Sequence, residues 1–99
     1  MATIYHITTL HDWNKAKKRG IYESLSFAKE GFIHCSEENQ IEGVLHRYFE
    51  ITKDLVKLEI DTNQLVSELK YELSPSVKEL FPHIYGPINL IAVTRVSKI

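Results

Sequence analysis

Gly31-Phe32-Ile33-His34-Cys35-Ser36-Glu37-Glu38 is where the chain passes from strand to helix, and its alternation decides how the fold is read. In an extended segment successive side chains point to opposite faces, so Phe32, His34 and Ser36 share one face while Ile33 and Cys35 share the other. Ser36 is placed to cap a helix whose first turn holds Glu37 and Glu38. From there Ile41, Val44, Leu45, Tyr48 and Phe49 recur at spacings of three and four, which predicts the clearest amphipathic helix of the chain.

Upstream, Thr3 to Thr8 is rich in β-branched and aromatic residues and reads as a first strand, with Ile4, His6 and Thr8 on one face. Thr9-Leu10-His11-Asp12 resembles a capping box with Asp in place of Glu, and Leu10, Trp13, Ala16 and Lys17 then keep helical spacing to Gly20. Lys17, Lys18 and Arg19 oppose the negative end of that helix, which is a sufficient structural reason for a basic cluster there. Gly20 to Glu30 has no period of either kind and reads as a loop with room for one helical turn.

Downstream, Val56, Leu58 and Ile60 alternate with Lys57, Glu59 and Asp61, the pattern of a strand over Leu55 to Asp61 with one wet face. Asp61 is placed to cap a turn over Thr62 to Leu65. A further strand is expected over Glu68 to Leu73, broken by Ser74-Pro75, with another turn over Val77 to Leu80. Pro82 to Pro87 reads as irregular from its Pro and Gly content, and Ile88 to Val96 as a long apolar strand suited to the middle of a sheet. The order β-α-β-α-β-β-β implies one α+β domain with two main helices and a mixed or mostly antiparallel sheet.

Ninety-nine residues, 43% hydrophobic and 25% charged with four Gly and three Pro, describe a single globular domain rather than a disordered or fibrous chain. A formal net charge of -1 gives no general pull toward nucleic acid or anionic lipid. No apolar run reaches membrane-spanning length, and Met1-Ala2-Thr3 lacks the basic and apolar regions of a secretion signal. The single cysteine, Cys35, cannot form an internal disulfide, so a reducing cytoplasm is the expected location.

Three histidine segments remain to be explained: Tyr5-His6-Ile7-Thr8, Phe32-Ile33-His34-Cys35-Ser36 and Phe81-Pro82-His83-Ile84-Tyr85-Gly86. Neutral imidazole both donates and accepts hydrogen bonds near pH 7, so His6, His34 and His83 converging on one pocket would suit a polar ligand or proton transfer. Each has a plainer reading beside it. His6 also suits a satisfied structural position, Ser36 a cap, and His83 with Tyr85 a loop whose backbone they satisfy. A metal site of His6, His34, His83 and Cys35 is disfavoured, because no pair has helical or knuckle spacing and Cys35 points away from His34.

These segments, with Trp13 and Ala16 before Gly20 and with Glu30, Gly31 and Gln40, resemble the domain of unknown function 952 family over nearly the whole chain. The resemblance implies a minimal ADP-ribosyltransferase-like fold, a split and strongly curved sheet that holds NAD between its halves. Tyr5-His6-Ile7-Thr8 is similar to the Tyr-His-Gly-Thr strand of tRNA 2'-phosphotransferases, and His34-Cys35-Ser36 to their His-x-Ser strand. By that resemblance His6 contacts the nicotinamide-side ribose with His34 beside it, and Glu72 is the candidate acceptor-orienting carboxylate; the histidine segments themselves make Thr8, Ser36, His83 and Tyr85 candidate ligand contacts. NAD would be substrate, with no metal. The alternative is a noncatalytic module that keeps the pocket, since the Glu-x-Glu pair of protein-modifying relatives is absent. A pyrophosphate would be repelled by Glu37-Glu38 and would need Arg47, or Lys17 to Arg19, brought to the cleft.

Overall fold

The computed structural model describes residues 2–75 and 77–99. Its backbone builds two three-stranded antiparallel sheets, a two-stranded ribbon and three short helices, so the α+β class holds while the sheet pairing is antiparallel throughout rather than mixed.

The first sheet has the order β1-β4-β8, with β1 at Thr3–Thr9, β4 at Leu55–Asp61 and β8 at Val93–Lys98. Its register sets Ile4, His6 and Thr8 opposite Ile60, Leu58 and Val56. Cross-strand partners share a face, so His6 lies among the most deeply buried aliphatic side chains of the protein. Thr9 caps helix α1, Leu10–Arg19, by accepting from the Asp12 amide, and Gly20 closes it at φ +89°. That left-handed backbone is costly for any residue with a Cβ. Trp13 and Ala16 turn inward, and Arg19 pairs with Glu23 at 3.1 Å.

Gly20 to Glu30 is more regular than its aperiodic sequence indicates. Ile21–Tyr22 forms β2, and Leu25–Glu30 forms helix α2, capped by Ser24 and ended by Gly31 at φ +83°. The strand expected over Gly31 to Ser36 is divided between the two sheets. Ile33–His34, β3, pairs with β6, whereas Ser36 exchanges both backbone bonds with Tyr5 of β1 at 2.8 and 2.7 Å. That transfer joins the sheets and holds Ser36 in extended backbone, so the helix cap passes to Glu37. A reciprocal capping box with Gln40 opens a 3₁₀ turn, Glu38–Gln40, which leads into α3, Ile41–Tyr48. Of the expected apolar stripe on α3, Val44 is buried and Tyr48 is exposed.

The second sheet has the order β3-β6-β5, with β5 at Glu68–Ser74 and β6 at Glu79–Tyr85. Pro82 to Tyr85 is therefore strand, not irregular chain. Proline in a central strand ordinarily breaks a ladder. Here the Pro82 carbonyl accepts from the Cys35 amide at 2.9 Å, so its missing N–H faces the β3 side, where the chain is already leaving for β1. The long central strand expected over Ile88 to Val96 is broken too. Ile88–Asn89, β7, pairs with β2, a 3₁₀ turn follows at Leu90–Ala92, and β8 lies at an edge. The Asn89 side chain bonds to Gln64 O and Val66 N and draws the backbone out of line. Asp61 caps the turn Thr62–Gln64 as its position predicts.

Gly86 connects β6 to β7 where no side chain fits: a Cβ there would fall on the Ser67 hydroxyl and within 2.9 Å of the Ser67 Cβ. Ser67 cannot easily yield, because its hydroxyl donates to Pro87 O at 2.7 Å. Gly86→Ala is expected to lower stability by about 2 kcal/mol, read by urea denaturation.

Candidate functional site

Where the two sheets part they leave an open cleft of about 570 Å³. His34, His83, Glu72 and Tyr85 line it from the second sheet, and Val44 and Tyr48 from α3. The register explains the grouping. His34 stands opposite His83 and Lys70 opposite His83 on the other side, and Glu72 and Tyr85 alternate on the same face of the β5-β6 pair.

Glu72 anchors the polar wall. The Tyr85 hydroxyl donates to its Oε1, and His83 Nδ1 lies 2.8 Å from the same oxygen. Those two donors, Tyr85 first, hold the Glu72 carboxyl below its ordinary pKa, with Lys70 adding its charge. An ionised carboxylate only accepts, so His83 Nδ1 carries the proton. In neutral His83 the other nitrogen accepts, and His34 Nδ1 lies 3.3 Å from it. The chain of bonds thus runs from His34 through His83 to Glu72 and leaves a lone pair on His34 Nε2. That atom is buried and has no hydrogen-bond partner among the described residues. Burial above all, with the neighbouring His83 and Arg47 after it, lowers the His34 pKa to about 4, so the ring is neutral near pH 7. Phe32 stacks on His83 at 4.0 Å and 17°, and Phe81 lies against His34 at 4.9 Å, which fixes both imidazoles.

His6 is arranged differently. Its Nδ1 lies 2.6 Å from the His34 carbonyl oxygen and its Nε2 lies 2.8 Å from the Tyr22 hydroxyl. Burial lowers its pKa to about 4. The carbonyl only accepts, so Nδ1 holds the single proton of the neutral ring and Nε2 takes one from Tyr22. The Tyr22 proton has two claimants, His6 and the Thr8 hydroxyl at 2.9 Å; with His6 neutral it goes to Nε2, and Thr8 donates in turn. His6 reaches the cleft wall with both nitrogens occupied. It clamps β1 to β3 and β2.

Of the candidate residues, the fold brings His34, His83, Glu72 and Tyr85 into one hydrogen-bonded or stacked group, and Ser36 also lines the cleft. Thr8 stands behind His6, against Tyr22. Cys35 is buried with its thiol pKa pushed upward by burial, as its strand face predicts. Tyr22 and Phe32 carry parts of the site that the sequence reading left without a role. Two features only hinted at them: Ile21-Tyr22 follows a helix-closing glycine, and Phe32 shares the alternation of His34.

Two cations pack on tyrosine rings that line the cleft. Arg47 lies over the ring of Tyr48 at 5.8 Å and Lys70 over the ring of Tyr85 at 5.0 Å. The Lys17 to Arg19 cluster stays at the end of α1. Among the described residues, no group of three or more His, Cys, Asp or Glu side chains is placed to hold a metal ion, and no helix is long and apolar enough to cross a membrane.

The family model described as protein of unknown function (DUF952) matches residues 7–96. The chain belongs to that family. Among solved structures, the crystal structure of protein CC0527 from Caulobacter crescentus is 33% identical, with a TM-score of 0.89 over 98% of this chain and 85% of that one. The solution NMR structure of the same protein gives 33% identity and a TM-score of 0.84 over 100% of this chain and 85% of that one. Among curated proteins none matches. The family assignment read from the histidine segments therefore stands, and its description states no activity.

Proposed function

We propose that the cleft of this DUF952 protein binds NAD or a related nucleotide, and that its chemistry is cleavage of the nicotinamide–ribose bond, by transfer to an acceptor or to water. The observation that carries the reading is the joining of His34, His83 and Glu72 in one open recess, two of whose lining tyrosines, Tyr48 and Tyr85, each carry a cation over the ring. A recess of this size lies within the range used for small-molecule ligands. Arg47 and Lys70 supply the positive charge a pyrophosphate requires, which the acidic start of the α3 segment denies it. Loss of nicotinamide leaves positive charge on the anomeric carbon, and the ionised Glu72 stabilises such charge electrostatically. Water or an acceptor hydroxyl then bonds to that carbon and releases a proton, for which His34 Nε2 is the available lone pair once the ligand opens the wall around it.

The shielding of Nε2 favours a second reading, a module that binds the nucleotide without reacting. Calorimetry and thermal shift with NAD, ADP-ribose and nicotinamide test binding; absence of heat and of any shift with all three would overturn the nucleotide reading. Chromatography of an incubation with NAD separates the readings, since only the enzyme releases nicotinamide. His34→Ala is expected to weaken binding at least about tenfold while lowering stability by about 1 kcal/mol, because the half-buried ring gives up one long hydrogen bond and its contact with Phe81. A large stability loss with unchanged affinity would make His34 a structural residue instead.

A further inference from the structure

β5 closes one end of the second sheet and, among the described residues, pairs only with β6, so the outward N–H and C=O groups of Leu69, Tyr71 and Leu73 have no strand partner. Unpaired edges are templates for another strand, and natural proteins usually blunt them by shortness, proline or like charge. This one is seven residues long, contains no proline, and alternates Glu68-Leu69-Lys70-Tyr71-Glu72-Leu73-Ser74. Tyr71 and Leu73 on one of its faces are 44% and 61% exposed, and Leu80 continues that face onto β6 at 56%.

We propose that two copies of the protein associate through β5, antiparallel and in full register, with Tyr71 on the two-fold axis. Full overlap of Glu68–Ser74 with its own copy places residue 71 opposite itself, and the remaining pairs follow from it. Lys70 faces Glu72 of the second copy, Glu72 faces its Lys70, and Leu69 faces Leu73 twice on the apolar side. Directly opposite side chains in antiparallel strands interact, and like charges there are destabilising. Sliding the copies by one pleat in either direction sets Lys70 against Lys70 with Glu68 against Glu72, or Glu72 against Glu72. Charge therefore selects the register that also pairs the whole strand. The contact is isologous and closes at two. Each copy of Glu72, already bonded to His83 and Tyr85, gains a second lysine beside the one on its own strand, so the pairing reaches the wall of the cleft. A seven-residue edge falls short of the area of a permanent interface, so the association is concentration-dependent.

Sedimentation velocity from about 1 μM to about 1 mM should show conversion from monomer to dimer. Lys70→Glu and Glu72→Lys should each weaken self-association at least about tenfold, and an equimolar mixture of the two should associate, since each then meets its opposite charge. Amide hydrogen exchange provides a readout without substitution: outward-facing β5 amides should become protected as wild-type concentration rises, while those of β8, the edge of the first sheet, should not. A monomer at every concentration, self-association of the single variants equal to wild type, a mixture that stays monomeric, or β5 exchange independent of concentration would overturn the proposal.

Discussion

His6→Ala is expected to lower stability by about 4 kcal/mol, the largest effect of any single change at the site. The imidazole stands on the core face of β1 opposite Leu58 and is 7% exposed. Removing it leaves a cavity, strips the partner from the His34 carbonyl, and leaves the Tyr22 hydroxyl with Thr8 alone. The carbonyl left without that partner costs about 1–3 kcal/mol, and the lost ring packing and cavity supply the rest. For a domain whose total stability is on the order of 5–15 kcal/mol, the variant folds weakly, with a melting temperature roughly 15–30 °C lower. Tyr22→Phe removes the middle of the same chain without a large cavity and should cost about 1–2 kcal/mol. The expected order of damage in thermal unfolding is thus His6→Ala, then Tyr22→Phe, then His34→Ala. A His6→Ala variant within about 1 kcal/mol of wild type would remove the clamp assigned to this residue.

Acid should unfold the protein earlier than its carboxylates alone require. The His6 pKa is about 4 in the folded chain and 6.5 as its ordinary value, so between those limits the unfolded state binds the proton and the folded state does not. The sign follows: above pH 6.5 the ring is neutral in both states and has no effect, and stability falls as pH drops from 6.5 toward 4. The loss from His6 alone reaches about 3 kcal/mol near pH 4. His34, whose pKa is also about 4, acts in the same direction with a smaller weight because it is less completely buried. Urea denaturation midpoints from pH 7 to pH 4 measure the effect. A flat profile across that window would show that neither imidazole is held neutral by burial.

Strands were readable where their signal is local: the β-branched and aromatic run read over Thr3 to Thr8 and the alternation over Leu55 to Asp61 fall in the strands Thr3–Thr9 and Leu55–Asp61, and Asp61 caps as expected. The helix over Leu10–Arg19 was readable for the same reason, since Thr9, Asp12 and Gly20 mark both of its ends. Features set by distant partners were not. Pro82 looks like a strand breaker until the departure of β3 removes the need for its N–H. Ile88 to Val96 looks continuous because no local pattern shows that Asn89 will bond to Gln64 and Val66. Ser36 looks like the better cap, yet its backbone is committed to Tyr5, which lies thirty-one positions earlier in the chain. The site divides in the same way. Alternation alone put His34 with Phe32 and opposite Cys35. The division of labour between a clamped His6 and a His34 with a vacant nitrogen depends on Tyr22, the His34 carbonyl and Glu72, and these meet only in three dimensions.

That division is the centre of the account, and the nitrogen resonances of the histidine side chains report it atom by atom. In wild-type protein at pH 7, ¹⁵N spectra should show His6 and His83 with protonated Nδ1, and His34 with protonated Nδ1 and a bare Nε2. Addition of NAD should shift the His34 and His83 nitrogens while leaving those of His6 unmoved. Movement of His6 alone, or saturating NAD that disturbs none of the three, would contradict it.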